Sequence, residues 1–141
     1  MIVSAGWIGS AVAQSPAKFT YQVRKTDALH YVLTISVRIN SPWHIYSQDA
    51  PAPVLPTTIQ FAKNPLVEIK NRPVEKGELI VKHDEQFDAD LKYYDDKVEY
   101  VQDVTLKAAV KTTLSGSVQY MLCTNEECIK PSPEQFRLVL E

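Results

Sequence analysis

The chain has 141 residues, a formal charge of −2, and four glycines against nine prolines. That length supports one domain with its own core. The near-neutral balance, without clustered Lys and Arg, argues against a nucleic-acid or acidic-membrane surface, and so few glycines exclude a flexible low-complexity chain.

The opening segment "MIVSAGWIGSAVAQ" is apolar and rich in small residues, and it ends in Ala11-Val12-Ala13, a pattern that signal peptidases cut after. It is too short to span a membrane and lacks a basic leading region. Residues 1–13 are therefore expected to be a partial signal peptide, with an exported domain over residues 18–141. No later segment is long and apolar enough to cross a bilayer.

Period-two alternation then carries most of the chain. In "HYVLTISVRIN", Tyr31, Leu33, Ile35, Val37 and Ile39 share a face, with Thr34, Ser36 and Arg38 opposite. In "VEYVQDVTLKAAV", Val98, Tyr100, Val104, Leu106, Ala108 and Val110 fall on one side. "GSVQYML" alternates Val118, Tyr120 and Leu122, and "QFRLVLE" alternates Phe136, Leu138 and Leu140. "FTYQVR", "TTIQF", "LVEIK" and "ELIVK" are shorter candidate strands. Turn signals separate the runs: Asn40-Ser41-Pro42, "APAPVLP", Asn64-Pro65, Lys76-Gly77, Asp95-Asp96 and Ser115-Gly116. No window carries a helical apolar stripe. Seven or more short strands predict an all-β fold, an immunoglobulin-like antiparallel β-sandwich.

Both cysteines, Cys123 and Cys128, lie in "YMLCTNEECIKPSPEQF" with four residues between them. So local a pair cannot be the inter-sheet bridge of antibody domains. A staple, a metal clamp and a redox pair all fit the spacing. As a staple it closes a six-residue loop, worth about 2 kcal/mol on a loop-entropy estimate, in a domain whose apolar strands hardly need it. A metal would need further ligands, and His30, His44 and His83 are scattered singly. A redox pair needs an accessible sulfur, which a loop ahead of Pro131 and Pro133 supplies. Glu126 and Glu127 beside Cys128 disfavour a thiolate, and Lys130 offsets them only in part.

The segment "GSVQYMLCTNEECIKPSPEQFRLVL" resembles the end of the N-terminal periplasmic domain of the thiol–disulfide interchange protein DsbD. "SPWHIYSQ", with Ile45 and Tyr46, resembles that family's aromatic stretch. "KHDEQFDADLKYY" resembles its acidic cap loop, which places Asp84 and Glu85 as nearby carboxylates and Phe87 as a shielding ring. The likeness runs from about residue 18 to 140. Two features depart from it: the best-known members have one more residue between the cysteines, and Gln86 stands where those members carry a further acid.

The resemblance implies a protein-disulfide reductase domain that takes two electrons from a membrane thiol transporter. It would pass them to periplasmic thioredoxin-fold proteins of the disulfide isomerase or cytochrome c maturation type. Cys128 would form the mixed disulfide and Cys123 resolve it, with Asp84, Glu85, Phe87, Tyr46 and Tyr120 as the surroundings. No cofactor, metal or nucleic acid is implied, and the domain is expected to act as a monomer, either within a larger membrane protein or alone. The competing expectation is an exported, non-catalytic β-sandwich that binds a partner and carries a structural disulfide.

Overall fold

A computed structural model describes residues 15–141 of the chain. The expected signal segment, residues 1–13, lies outside the described residues.

The described residues form thirteen strands and no helix. In chain order they are β1 (Ala17–Lys25), β2 (His30–Ile39), β3 (His44–Tyr46), β4 (Thr58–Phe61), β5 (Val67–Glu68), β6 (Val74–Lys76) and β7 (Ile80–Asp84). There follow β8 (Ala89–Tyr94), β9 (Lys97–Leu106), β10 (Thr112–Gln119), β11 (Leu122–Cys123), β12 (Cys128–Ile129) and β13 (Glu134–Leu140). Three antiparallel sheets result. The first runs β1-β2-β9-β5, with β6 also on β9; the second runs β13-β10-β4; the third runs β12-β11-β3-β8-β7.

The long strands fold as their alternation requires. Tyr31, Leu33, Ile35, Val37 and Ile39 of β2, and Val98, Tyr100, Val104 and Leu106 of β9, are buried. The β2–β9 register places Tyr31 opposite Val104, Leu33 opposite Gln102, Ile35 opposite Tyr100 and Val37 opposite Val98, so one face of this ribbon is continuous core. Leu114 and Val118 of β10 and Phe136 and Leu140 of β13 come to it from the second sheet. Ile45, Tyr94 and Leu122 come from the third. Sheet packs on sheet, as expected of the sandwich.

Two expectations need correction. β9 ends at Leu106, and the chain bends over residues 107–110. Val110 is left 47% exposed, so it and Ala108 do not continue the buried face. Ser115-Gly116 is no turn but the middle of β10. Glycine is needed there because a Cβ would strike the Gln60 carbonyl oxygen and lie 2.5 Å from Phe136 Cζ. Close approach of a neighbouring strand and ring, not backbone freedom, explains this residue.

Candidate functional site

The third sheet has two faces, and its pairing decides which residues occupy each. Leu122 lies opposite Ile45 and Ile129, and Ile45 lies opposite Tyr94. These side chains enter the main core. The other parity gives the outer face: Cys123 opposite both His44 and Cys128, Tyr46 opposite Tyr93, and Leu91 opposite Lys82. Because side chains of directly opposed residues share a face, the strand ladder itself brings the cysteines, His44, Tyr46 and Tyr93 together.

Cys123 and Cys128 form a disulfide, with sulfurs 2.03 Å apart. The connection between them is shaped locally. Thr124 Oγ1 accepts hydrogen bonds from the backbone N–H groups of Glu126 (3.0 Å) and Glu127 (3.1 Å). The Thr124 N–H donates to the Glu127 carbonyl at 2.8 Å. The two sulfurs are unequal: Cys123 is 1% exposed, whereas Cys128 is exposed. Beneath Cys123 lies a small apolar cluster, with Tyr46, Ala50, Val54 and Met121, separate from the main core.

A cavity of about 660 Å³ opens over the disulfide. Its walls include both cysteines and their connecting loop, His44, Tyr46, Tyr93, Met121 and the tip of the β7–β8 hairpin. That tip is the acidic segment. Asp84 Oδ1 accepts from the N–H groups of Gln86 (2.9 Å) and Phe87 (3.1 Å), and Asp88 closes the turn at φ 50°. Asp84, Gln86 and Phe87 all line the cavity, Phe87 while remaining 48% exposed. Glu85 is exposed and takes no part in the cavity wall.

Tyr120 is not in the site. It is buried in the main core with its ring 4.9 Å from that of Phe19. The reason is parity: Tyr120 shares its face with Leu122, and Cys123 takes the other. Trp43, the first aromatic of its stretch, packs against the same main core.

His44, in the sequence only one of three scattered histidines, belongs to the cavity wall. Its ring lies 4.2 Å from that of Tyr93 and meets Tyr46 edge-on at 5.4 Å. Its Nε2 is 3.3 Å from the Tyr46 hydroxyl, and its Nδ1 is 4.0 Å from Asp95 Oδ1. Burial lowers its pKa below the ordinary histidine value; Lys82 adds to that effect and Asp95 opposes it. Burial likewise raises the Tyr46 and Tyr93 phenols, Tyr93 and Asp84 adding to the rise at Tyr46 and Asp95 to that at Tyr93. His83 lines the cavity from the hairpin, where its Nδ1 lies 2.9 Å from Asp90 Oδ1. His30 lies apart, against Asp27 at 2.7 Å.

Two solved structures share this architecture. The N-terminal periplasmic domain of ScsB from Proteus mirabilis superposes with a TM-score of 0.60 at 16% identity, covering 90% of this chain and 47% of that one. The reduced DsbD N-terminal domain of Neisseria meningitidis gives 0.56 at 16% identity, over 85% of this chain and 83% of that one. The DsbD N-terminal domain in its complex with the PilB N-terminal domain, also from N. meningitidis, gives 0.48 at 16% identity, over 86% and 80%. This chain thus spans about half the length of the ScsB chain. No curated protein sequence matches it significantly. The family model described as "Thiol:disulfide interchange protein DsbD, N-terminal" matches residues 10–140, nearly the whole sequence, and the chain belongs to that family.

Proposed function

We propose that the domain relays electrons by thiol–disulfide exchange through Cys123 and Cys128, in the periplasm, to thioredoxin-fold partners. The observation that carries this reading is the inequality of the sulfurs: Cys128 exposed beside a cavity, Cys123 buried 1% exposed behind it. Exchange proceeds by attack of a thiolate on a disulfide sulfur, so the sulfur a partner can reach forms the mixed disulfide. In the reduced domain Cys128 attacks the partner's disulfide and releases one partner thiolate. Cys123 then attacks Cys128 Sγ, breaks the mixed disulfide and releases the second. The domain leaves oxidised and the partner reduced by two electrons. A membrane thiol transporter, within the same larger protein or separate from it, restores the dithiol.

Trapping tests the roles. Cys123→Ser is expected to accumulate a mixed disulfide with a thioredoxin-fold partner carrying a single active-site cysteine, visible on non-reducing gels. Cys128→Ser is expected to accumulate little or none. Equal trapping by both, or trapping through Cys123 alone, would overturn the assignment. A Cys123–Cys128 potential below about −300 mV, the range of inert structural bridges, would instead favour a binding module with a stapled loop.

A further inference from the structure

We propose that His44 is the general base for Cys123, taking the thiol proton as Cys123 closes the disulfide and discharges the partner. The inference rests on the relay reading above and adds the group that moves the proton. Cys123 is the sulfur with a problem of ionisation. It is 1% exposed, packed among Tyr46, Ala50, Val54 and Met121, and a thiol in such surroundings resists forming a thiolate. Water reaches it poorly, so a neighbouring side chain must accept its proton.

The ladder supplies one candidate directly. His44 is the β3 residue opposite Cys123 on β11, and opposed residues of an antiparallel pair carry their Cβ atoms about 4.5–5.5 Å apart on the same face. The groups facing His44 come from every strand around it: Cys123 from β11, Tyr46 from its own strand, Tyr93 from β8, Asp95 just after β8, and Lys82 from β7. Burial and Lys82 keep the imidazole neutral near pH 7, ready to accept. Asp95, 4.0 Å from Nδ1, favours the imidazolium once the proton has moved. The alternatives serve less well. Tyr46 and Tyr93 stay protonated because burial raises both phenols. Asp84 lines the cavity from the hairpin, where the register sets it opposite Ala89, whereas His44 is set opposite Cys123 itself.

The step balances. Cys123 S–H gives its proton to His44 as its sulfur bonds to Cys128 Sγ. The Cys128–partner bond breaks, and the electron pair leaves on the partner's sulfur. The imidazolium afterwards returns its proton to that thiolate or to water.

Single-turnover reaction of the reduced domain with 5,5′-dithiobis(2-nitrobenzoate) isolates the step. Attack by Cys128 releases the first thionitrobenzoate, and closure by Cys123 releases the second. In His44→Gln the second release is expected to slow about tenfold or more at pH 7, with the first unchanged. The deficit should narrow as the pH rises, because hydroxide then removes the Cys123 proton without help from His44. A deficit equal at every pH would mark His44 as a packing residue and overturn the inference, as would closure at the wild-type rate. Wild-type protein that releases only one equivalent would sink the inference and remove the resolving role of Cys123 from the relay. Normal closure with no partner trapping would cost the relay its partner and leave His44 in place.

Discussion

Ile45, Tyr94 and Leu122 on one side of the third sheet, and His44, Tyr93 and Cys123 on the other, are neighbours in the chain and use the same ladder. The first set is buried in the sandwich core. The second lines the cavity over the disulfide, with Cys123 buried at its floor. A one-residue step thus separates side chains whose burial stabilises the domain from side chains free to do chemistry. The core face fixes the register, because a slip by one residue would put Leu122 into solvent and Cys123 into the main core. The redox pair is held in place by side chains that point into the opposite face of the sheet.

The sharpest way to break that comparison is to damage the core face alone. Leu122 is fully buried. Leu122→Ala should cost about 2–5 kcal/mol, the transfer term plus the cavity left behind. Urea unfolding with and without reductant measures it. The loss should persist in the reduced protein, since the core rather than the disulfide supplies it. A cost under about 0.5 kcal/mol would mean that Leu122 does not anchor the site sheet.

The long strands were legible because burial of one face forces alternation, and β2, β9 and β13 announce it residue by residue. Short strands cannot. β3, β11 and β12 are three, two and two residues long, too few for any period to show. Those strands carry both cysteines and His44. Cys123 and Cys128 could be named from the sequence and their unequal exposure argued from strand against loop. His44 could not, because its place depends on β3 pairing with β11 across nearly eighty residues of chain. Tyr120 could have been placed better: the alternation of "GSVQYML" groups it with Leu122 and Val118, both buried in the main core. Ser115-Gly116 misled for the opposite reason, because a glycine selected for close approach looks the same as one selected for a turn.

A smaller effect should come from the polar clamp that braces the outer face. Glu75 Oε1 accepts from Ser47 Oγ (2.7 Å) and the Tyr94 hydroxyl (2.8 Å), and its Oε2 accepts from the Gln48 N–H (2.6 Å). This holds the start of the loop that carries Ala50 and Val54 beneath Cys123. Glu75→Ala strands the buried Ser47 hydroxyl and should cost about 1–3 kcal/mol. Glu75→Gln, which keeps an acceptor, should recover part of it. Thermal unfolding of the two variants side by side tests the clamp, and equal stabilities would show that the carboxylate position does not matter.

The smallest effect on stability, and the most telling for access, belongs to Phe87. Its ring is 48% exposed at the hairpin tip, so it contributes little to the fold, and Phe87→Ala should shift stability by no more than about 0.5 kcal/mol. Yet Phe87 lines the cavity over the disulfide, on a turn held by Asp84 Oδ1. If that ring shields Cys128, its removal should speed alkylation of the reduced domain by iodoacetamide several-fold. Asp84→Asn retains an oxygen for the turn and should change the rate less. Stability and reactivity would then be divided between the faces of one sheet: Leu122→Ala lowering the first, Phe87→Ala raising the second. An unchanged alkylation rate in a folded Phe87→Ala protein would remove the hairpin from any gating role. Control of the exposed sulfur would then rest with the Thr124–Glu127 connection alone.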